Sequence, residues 1–254
     1  VDEERKHAMT LAAILQPHYL PWIGYFEMID RVDVFVFLDD ADFIKREWKN
    51  RNRIRSGPYE TNTRWLTVSV PRQAQHDTPL CEVPVAYPAD SDWPTHHARV
   101  ISGAYCKAPA FPSVAPVLDI IAQRHDTLAN FNMTLVRAIM RDLGISTPLV
   151  LASDLKCDGF KTAKLVSICK AVGATHYLAN NTSSTYLDLD LFTHAGIAVS
   201  YQDYVHPEYV QRFDGRRLDF ISHLSVVDLI CNIGTGQAAL DIVRQGRARA
   251  KEAI

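Results

Sequence analysis

No apolar run in this 254-residue chain approaches the roughly 20 residues that span a bilayer, which excludes a membrane-spanning helix. Residues 1–10 (VDEERKHAMT) carry too many charges for a signal-peptide core, so a cytoplasmic protein is expected. An excess of positive charge is missing too. Lys and Arg number 27 against 29 Asp and Glu, a net charge of -2, and without a cationic surface no bulk nucleic-acid binding is expected. Cysteine is sparse: Cys81, Cys106, Cys157, Cys169 and Cys231 are odd in number, scattered, and never spaced as C-x-x-C, which argues against a disulfide framework or a zinc knuckle. Also lacking are a G-x-S-x-G elbow, an H-E-x-x-H helix, a zinc-deaminase pattern, a D-x-D-x-D-G calcium loop, and the glycines of a P-loop or G-x-G-x-x-G turn. His96 and His97 are adjacent on a helical pattern and diverge by about 100°, so they do not chelate one metal. No metal site is expected, and no pattern names a cofactor.

What is present reads as an ordinary globular chain, 47% apolar and 22% charged, long enough to bury a core without staples. Residues 12–16 (AAILQ) form a short apolar run ended by a proline-bounded turn, after which Trp22, Ile23, Phe26 and Ile29 recur at helical spacing. Residues 34–38 (VFVFL) read as a strand covered on both faces. This β-α-β opening implies a parallel sheet, with ligands gathering beyond the carboxyl ends of its strands. Residues 65–70 read as a further strand and 81–85 as a proline-interrupted one; residues 93–144 carry long helical patterns. From residue 148 the alternation returns, with strands expected at 148–152, 175–178 and 197–201 and helices at 163–172 and 187–195. A last helix opens at Ser225, where Ser225 and Asp228 fit a capping box, and a basic, exposed tail is expected from Arg244 to Lys251. The reading is an α/β protein: a mostly parallel Rossmann-like sheet with helices on both faces and a mainly helical insertion or subdomain in the middle. Its parts are a first half at 11–90 carrying the candidate site, the insertion at 91–147, and a second half with C-terminal helices at 148–247, as one compact unit.

Several constellations bear chemistry. His18 sits in a stiff turn, Gln16-Pro17-His18-Tyr19-Leu20-Pro21-Trp22, which suits a general base or a phosphate contact; a packed histidine in a proline turn is the plain alternative. Asp39 and Asp40 follow the most apolar strand and fit either a base, a hard-cation pair or a solvated turn. Six cations fall within eleven residues, Lys45, Arg46, Lys49, Arg51, Arg53 and Arg55, interleaved with Trp48, Asn50 and Asn52. Arginine forks with asparagine amides suit an anionic ligand, and a solvated basic face explains the run as well. The loop holding Asn181 and Ser183 supplies donors at a carboxyl end, or is an Asn/Ser turn. His206, with Tyr204, Gln211 and Asp203 around it, places a second histidine on the same rim, while Asp228 and Asn232 share one face of the last helix. Cys169 lies on an apolar helix face and reads as core.

The blocks Gln16-Pro17-His18-Tyr19-Leu20-Pro21-Trp22-Ile23-Gly24-Tyr25-Phe26, VFVFLDD at 34–40, Trp48-Lys49-Asn50-Arg51-Asn52-Arg53-Ile54, and Tyr204…His206-Pro207…Gln211…Ser225…Asp228…Asn232 resemble the WbqC-like protein family across nearly the full length. The loop from Asn180 to Ser184 departs from the more glycine-containing turn expected there. The resemblance implies a bacterial biosynthetic role in O-antigen or secondary-metabolite clusters, with acyl or aminoacyl transfer, for example glycyl, to an amino sugar or related small amine. The donor implied is a small molecule or a carrier-bound or tRNA-bound acyl group. His18, Asp39, Asp40 and His206 are then the expected catalytic groups. Gln16, Tyr19, Trp22, Lys45, Trp48, Asn50, Arg51, Asn52, Asn181, Ser183, Tyr204, Gln211 and Asn232 are the expected substrate contacts. An ATP-dependent ligase or nucleotidyltransferase-like enzyme, and a non-catalytic ligand-binding or partner-stabilising module, are the alternatives.

Overall fold

The computed structural model describes residues 9–57, 61–72, 74 and 78–247. The expectations for residues 1–8 and for the tail beyond residue 247 fall outside them. The chain opens with β1 (Leu11–Leu15), α1 (Ile23–Arg31) and β2 (Val34–Phe37). A polar hairpin follows, β3 (Arg51–Arg55) and β4 (Thr63–Thr67), and then the helices α2 (Trp93–Tyr105), α3 (Ala115–Ala122) and α4 (Leu128–Leu143). The alternation resumes with β5 (Leu149–Leu151), α5 (Ala152–Leu155), α6 (Thr162–Ala171), β6 (His176–Ala179), α7 (Leu189–His194) and β7 (Ala198–Tyr201). A small hairpin, β8 (Arg212–Phe213) and β9 (Arg216–Arg217), leads to α8 (Val226–Ile233) and α9 (Gln237–Gln245).

The central sheet has the order β5-β2-β1-β6-β7 and is parallel throughout. The continuous apolar character of β1 and β2 follows from burial on both faces. Ala13, Phe35 and Phe37 face one cluster with Ile23, Phe26 and Ile29 of α1, while Ala12, Ile14 and Val36 face another with Ile168, Cys169 and Phe192. The first cluster continues without a break into α2, α3 and α4 through Ile101, Val117, Phe131 and Leu135. Chain order reverses between β1 and β6, and that crevice is where ligands of open parallel sheets collect.

Two local expectations are corrected. Residues 81–85 form no strand: Leu80–Glu82 is a 3₁₀ turn. Pro84 has no N–H to offer a ladder, and the Cys81 N–H donates to the Asp39 carbonyl at 2.8 Å, so the segment crosses the sheet end rather than joining it. At α8, Ser225 caps the Val227 N–H at 3.3 Å, but Asp228 does not complete the box. The Ser225 N–H donates to the Arg53 carbonyl instead, and the Asp228 carboxylate turns inward to accept from the Tyr209 hydroxyl and the Gln211 amide, each at 2.8 Å.

The helical segment fixes the turn after β1. Asn132 of α4 is fully buried, and its Nδ2 donates to the carbonyls of Pro17 at 3.0 Å and Lys49 at 2.7 Å. Replacing Asn132 with Ala leaves two buried carbonyls without their side-chain donor. The expected cost is about 2–4 kcal/mol, read as a lower urea midpoint with the same slope and an unchanged far-UV spectrum. An unchanged midpoint contradicts this account.

Candidate functional site at the sheet switch point

Beyond the carboxyl ends of β1 and β6 lies a cavity of about 440 Å³, a size that suits a small-molecule ligand. The first β-α unit contributes Leu15, His18, Trp22 and Tyr25, and the approach to β3 contributes Trp48, Asn52 and Arg53. The loops after β6 and β7 add Asn180, Asn181, Thr182, Gln202 and Tyr204, and His223 closes the wall ahead of α8. No carboxylate is among these lining residues.

His18 is held through the backbone around it. Asn52, buried on β3, donates from Nδ2 to the carbonyls of Tyr19 at 3.1 Å and Leu20 at 2.8 Å. The Tyr19 N–H donates to the Trp48 carbonyl at 3.0 Å, and Leu20 takes a left-handed φ of 42°. A branched side chain rarely adopts that conformation unless its surroundings impose it. Trp22 forms an aromatic wall: its ring lies 5.0 Å from His223, 6.0 Å from His206 and 5.5 Å, edge-on, from Tyr204. Two glycines make room for that wall. A β-carbon on Gly24 would lie 2.4 Å from the Trp22 indole, and one on Gly246 would lie 2.4 Å from the Tyr204 ring.

Of the residues expected from sequence, His18, Trp22, Trp48, Asn52, Asn181 and Tyr204 line the cavity. His206 does not. It stands against Trp22 and His223, its ring 4.9 Å from that of His223. Asp39 and Asp40 end the neighbouring strand but do not join the lining. Asp39 accepts from the Ser153 N–H and hydroxyl at 3.0 and 2.6 Å, anchoring the start of α5, and Asp40 pairs with Lys164 at 2.6 Å. Tyr19 is buried with its hydroxyl 2.8 Å from His97 Nδ1, and the Gln16 carbonyl accepts from the Tyr25 hydroxyl at 3.0 Å. Lys45 donates to the Arg72 carbonyl at 2.6 Å, Asn50 to the Val68 carbonyl at 3.3 Å, and the Ser183 hydroxyl to Asn180 Oδ1 at 2.7 Å. Gln211 and Asn232 belong to the buried polar cluster around Asp228, where Arg55 donates to Gln211 Oε1 at 2.6 Å and Asn232 donates to the Asp228 carbonyl at 2.8 Å.

Residues outside the expected substrate contacts complete the wall. Arg53 alternates with Arg51 and Arg55 along one face of β3, a period of two that the run's polarity hides. Asn180 opens the donor-bearing loop expected after β6, and Gln202 follows β7 directly, where position after a parallel strand is a signal that could have found it. His223 has no motif around it; it takes a φ of 57°, and its carbonyl lies 3.4 Å from Arg53 Nε.

Burial lowers the His18 pKa from 6.5 to about 3, with the nearby Lys49 ammonium adding to the effect. Burial, then His223, brings His206 to about 4, and burial, then Arg53, lowers His223. Above pH 6 the imidazoles of His18 and His206 are neutral. Because protonation is disfavoured in the folded state, the stability that neutral His18 contributes is complete above its ordinary pKa of 6.5 and is lost as pH falls toward 3. Each such histidine steepens the decline by up to about 1.4 kcal/mol per pH unit. Urea titrations between pH 7 and 5 are expected to show a shallower decline for His18→Gln than for the native chain. Equal slopes would place a normally titrating imidazole at this position.

The WbqC-like protein family matches the chain over residues 16–239. The chain is also similar to "Uncharacterized protein Rv1507c" of Mycobacterium tuberculosis (strain ATCC 25618 / H37Rv), 33% identical over 229 residues that cover 89% of this chain and 95% of that protein. No solved structure matches it. With the blocks at both ends of the match contributing to one cavity, the chain belongs to the WbqC-like protein family.

Proposed function

We propose that the switch-point cavity carries out acyl or aminoacyl transfer to a small amine, such as an amino sugar. The observation that carries this reading is the neutral, desolvated imidazole of His18 at the end of β1, in a cavity whose lining, among the described residues, holds a cation, Arg53, and no carboxylate. An amine attacks a carbonyl only as the free base. A cavity without a counter-ion for ammonium, beside Arg53 and near Lys49, favours that neutral form. His18 accepts the amine's N–H and orients its lone pair. As the new N–C bond forms and the donor's C–S or C–O bond breaks, the amine's second proton passes to the departing sulfur or oxygen, while the neutral imidazole keeps the amine in place as a hydrogen-bond acceptor. The Arg53 guanidinium and the amides of Asn180 and Asn181 provide donors for the oxyanion of the tetrahedral intermediate. Asp39 and Asp40 have no part in this scheme, since Ser153 and Lys164 hold them. The biosynthetic role that the family resemblance implies is in keeping with this choice of acceptor class.

The test is mass-spectrometric detection of acylated product from acyl and aminoacyl thioesters paired with amino sugars. A product mass is expected with the native chain. His18→Ala is expected to lower kcat roughly 10²-fold, and Arg53→Gln to lower kcat by a similar factor, with KM for the amine little changed. Absence of product across the panel, or an unaltered rate in His18→Ala, overturns the proposal.

A further inference from the structure

Of the four tryptophans, Trp48 and Trp65 stand in solvent, 43% and 41% exposed. Their ring centroids are 5.5 Å apart. The Arg51 guanidinium lies 4.2 Å over the Trp65 ring, and its Nε is shielded from solvent with no hydrogen-bond partner among the described residues. Arg46, Glu47, Trp48, Arg51 and Trp65 enclose a depression of about 340 Å³. The Glu47 carboxylate is committed to the buried Lys49 ammonium, so the net charge left facing the depression is positive. Trp48 is a wall of this depression and of the switch-point cavity alike. On its far side Trp65 borders a further depression that holds the Asp92 carboxylate, which directs an anion back toward Arg46 and Arg51.

We infer that this platform binds the nucleotide portion of the acyl donor, with the base stacked on the exposed tryptophan faces and a phosphate held by Arg51 and Arg46, so that the acyl end reaches past Trp48 into the cavity. The inference rests on the acyl-transfer reading of that cavity. Two exposed indoles beside two guanidinium groups match a ligand that is flat and π-rich at one point and doubly charged at the next. An aliphatic peptide would use neither feature. The shared chemistry, a nucleoside phosphate, is carried both by a free nucleotide-linked thioester and by the terminus of an RNA.

Binding is read directly by quenching of tryptophan fluorescence and by calorimetry, with AMP, coenzyme A, ribose 5-phosphate and a short RNA ending in adenosine as probes. AMP and coenzyme A are expected to bind. Trp65→Ala is expected to weaken both roughly tenfold or more, while Trp65→Phe, which keeps a π face, stays within about threefold of the native chain. Arg51→Gln is expected to weaken ribose 5-phosphate by a similar factor, a probe that Trp65→Ala leaves nearly unchanged. Tighter binding of the RNA than of coenzyme A assigns the nucleotide to an RNA terminus, and the reverse assigns it to a free thioester. No binding by any nucleotide probe, or native affinity in both Trp65→Ala and Arg51→Gln, overturns the inference. Because no turnover is required, bound nucleotide without acylated product removes the transfer chemistry and retains the platform. Product formed without nucleotide binding does the opposite.

Discussion

Two buried amides hold the turn on which the site depends. Asn52 donates from β3 to the carbonyls of Tyr19 and Leu20, and Asn132 donates from α4 to those of Pro17 and Lys49. Four carbonyls that would otherwise lie in a dry interior without these donors are thereby satisfied, which matters because an unmade buried hydrogen bond costs more than a made one contributes. Three of these bonds end on residues 17–20 and the fourth on Lys49, so two distant parts of the chain, residues 49–52 and α4, are drawn onto the turn. With both ends of the turn fixed, Leu20 is held at a φ of 42° and His18 is left facing the cavity. The helical segment between β4 and β5 is thus part of the site's scaffold, although none of its described residues lines the cavity.

The basic run takes its meaning from strand geometry. Arg51, Arg53 and Arg55 share one face of β3, yet each meets a different environment. Arg51 lies over Trp65, Arg53 faces the cavity, and Arg55 is buried against Gln211 and the Asp219 carbonyl. Burying a guanidinium is tolerable only with such partners, and the polar cluster around Asp228 supplies them. Asp228 itself titrates above its ordinary range because burial outweighs its hydrogen bonds from Tyr209, Tyr105 and Gln211 and the attraction of Arg55. One strand therefore links the exposed aromatic platform, the cavity and the interior of the fold.

The fold was legible where hydrophobic periodicity carried it. The VFVF strand, the helix after Trp22 and the β-α alternation from residue 148 follow from burial patterns that the sequence displays. Residues 51–55 escaped because an alternation of Arg with Asn and Ile does not look apolar, even though Asn52 and Ile54 point into the core. The site was legible only in part, for a similar reason. His18, Trp22 and Asn52 stand in dense local blocks, whereas His223 reaches the cavity through tertiary contacts that no neighbour in sequence reveals. Asp39 and Asp40 were the opposite case. Their position at a strand end drew attention, but Ser153 and Lys164, more than a hundred residues away in the chain, decide what they do.

The far wall of the cavity depends on the end of α9. Glu27 is fully buried on α1 and accepts from Arg247 at 3.0 Å and from Gln202, a lining residue, at 2.5 Å. Asp30, one turn on, binds Arg244 at 2.8 Å and also pairs with Arg247. Burial works against the Asp30 charge, but the two guanidinium groups outweigh it and hold its carboxyl below the usual carboxylate range. A buried carboxylate of this kind is stable only while its partners stay in place, so α1 and the C-terminal residues that follow α9 are locked together. Tyr204 rides on that lock: its hydroxyl donates to the Val243 carbonyl at 2.9 Å, and its ring packs where Gly246 leaves space. Trp22 meets the edge of Tyr204, so charge pairing at the two ends of the sequence sets the distance between the aromatic walls, and with it the width of the cavity in which His18 remains neutral.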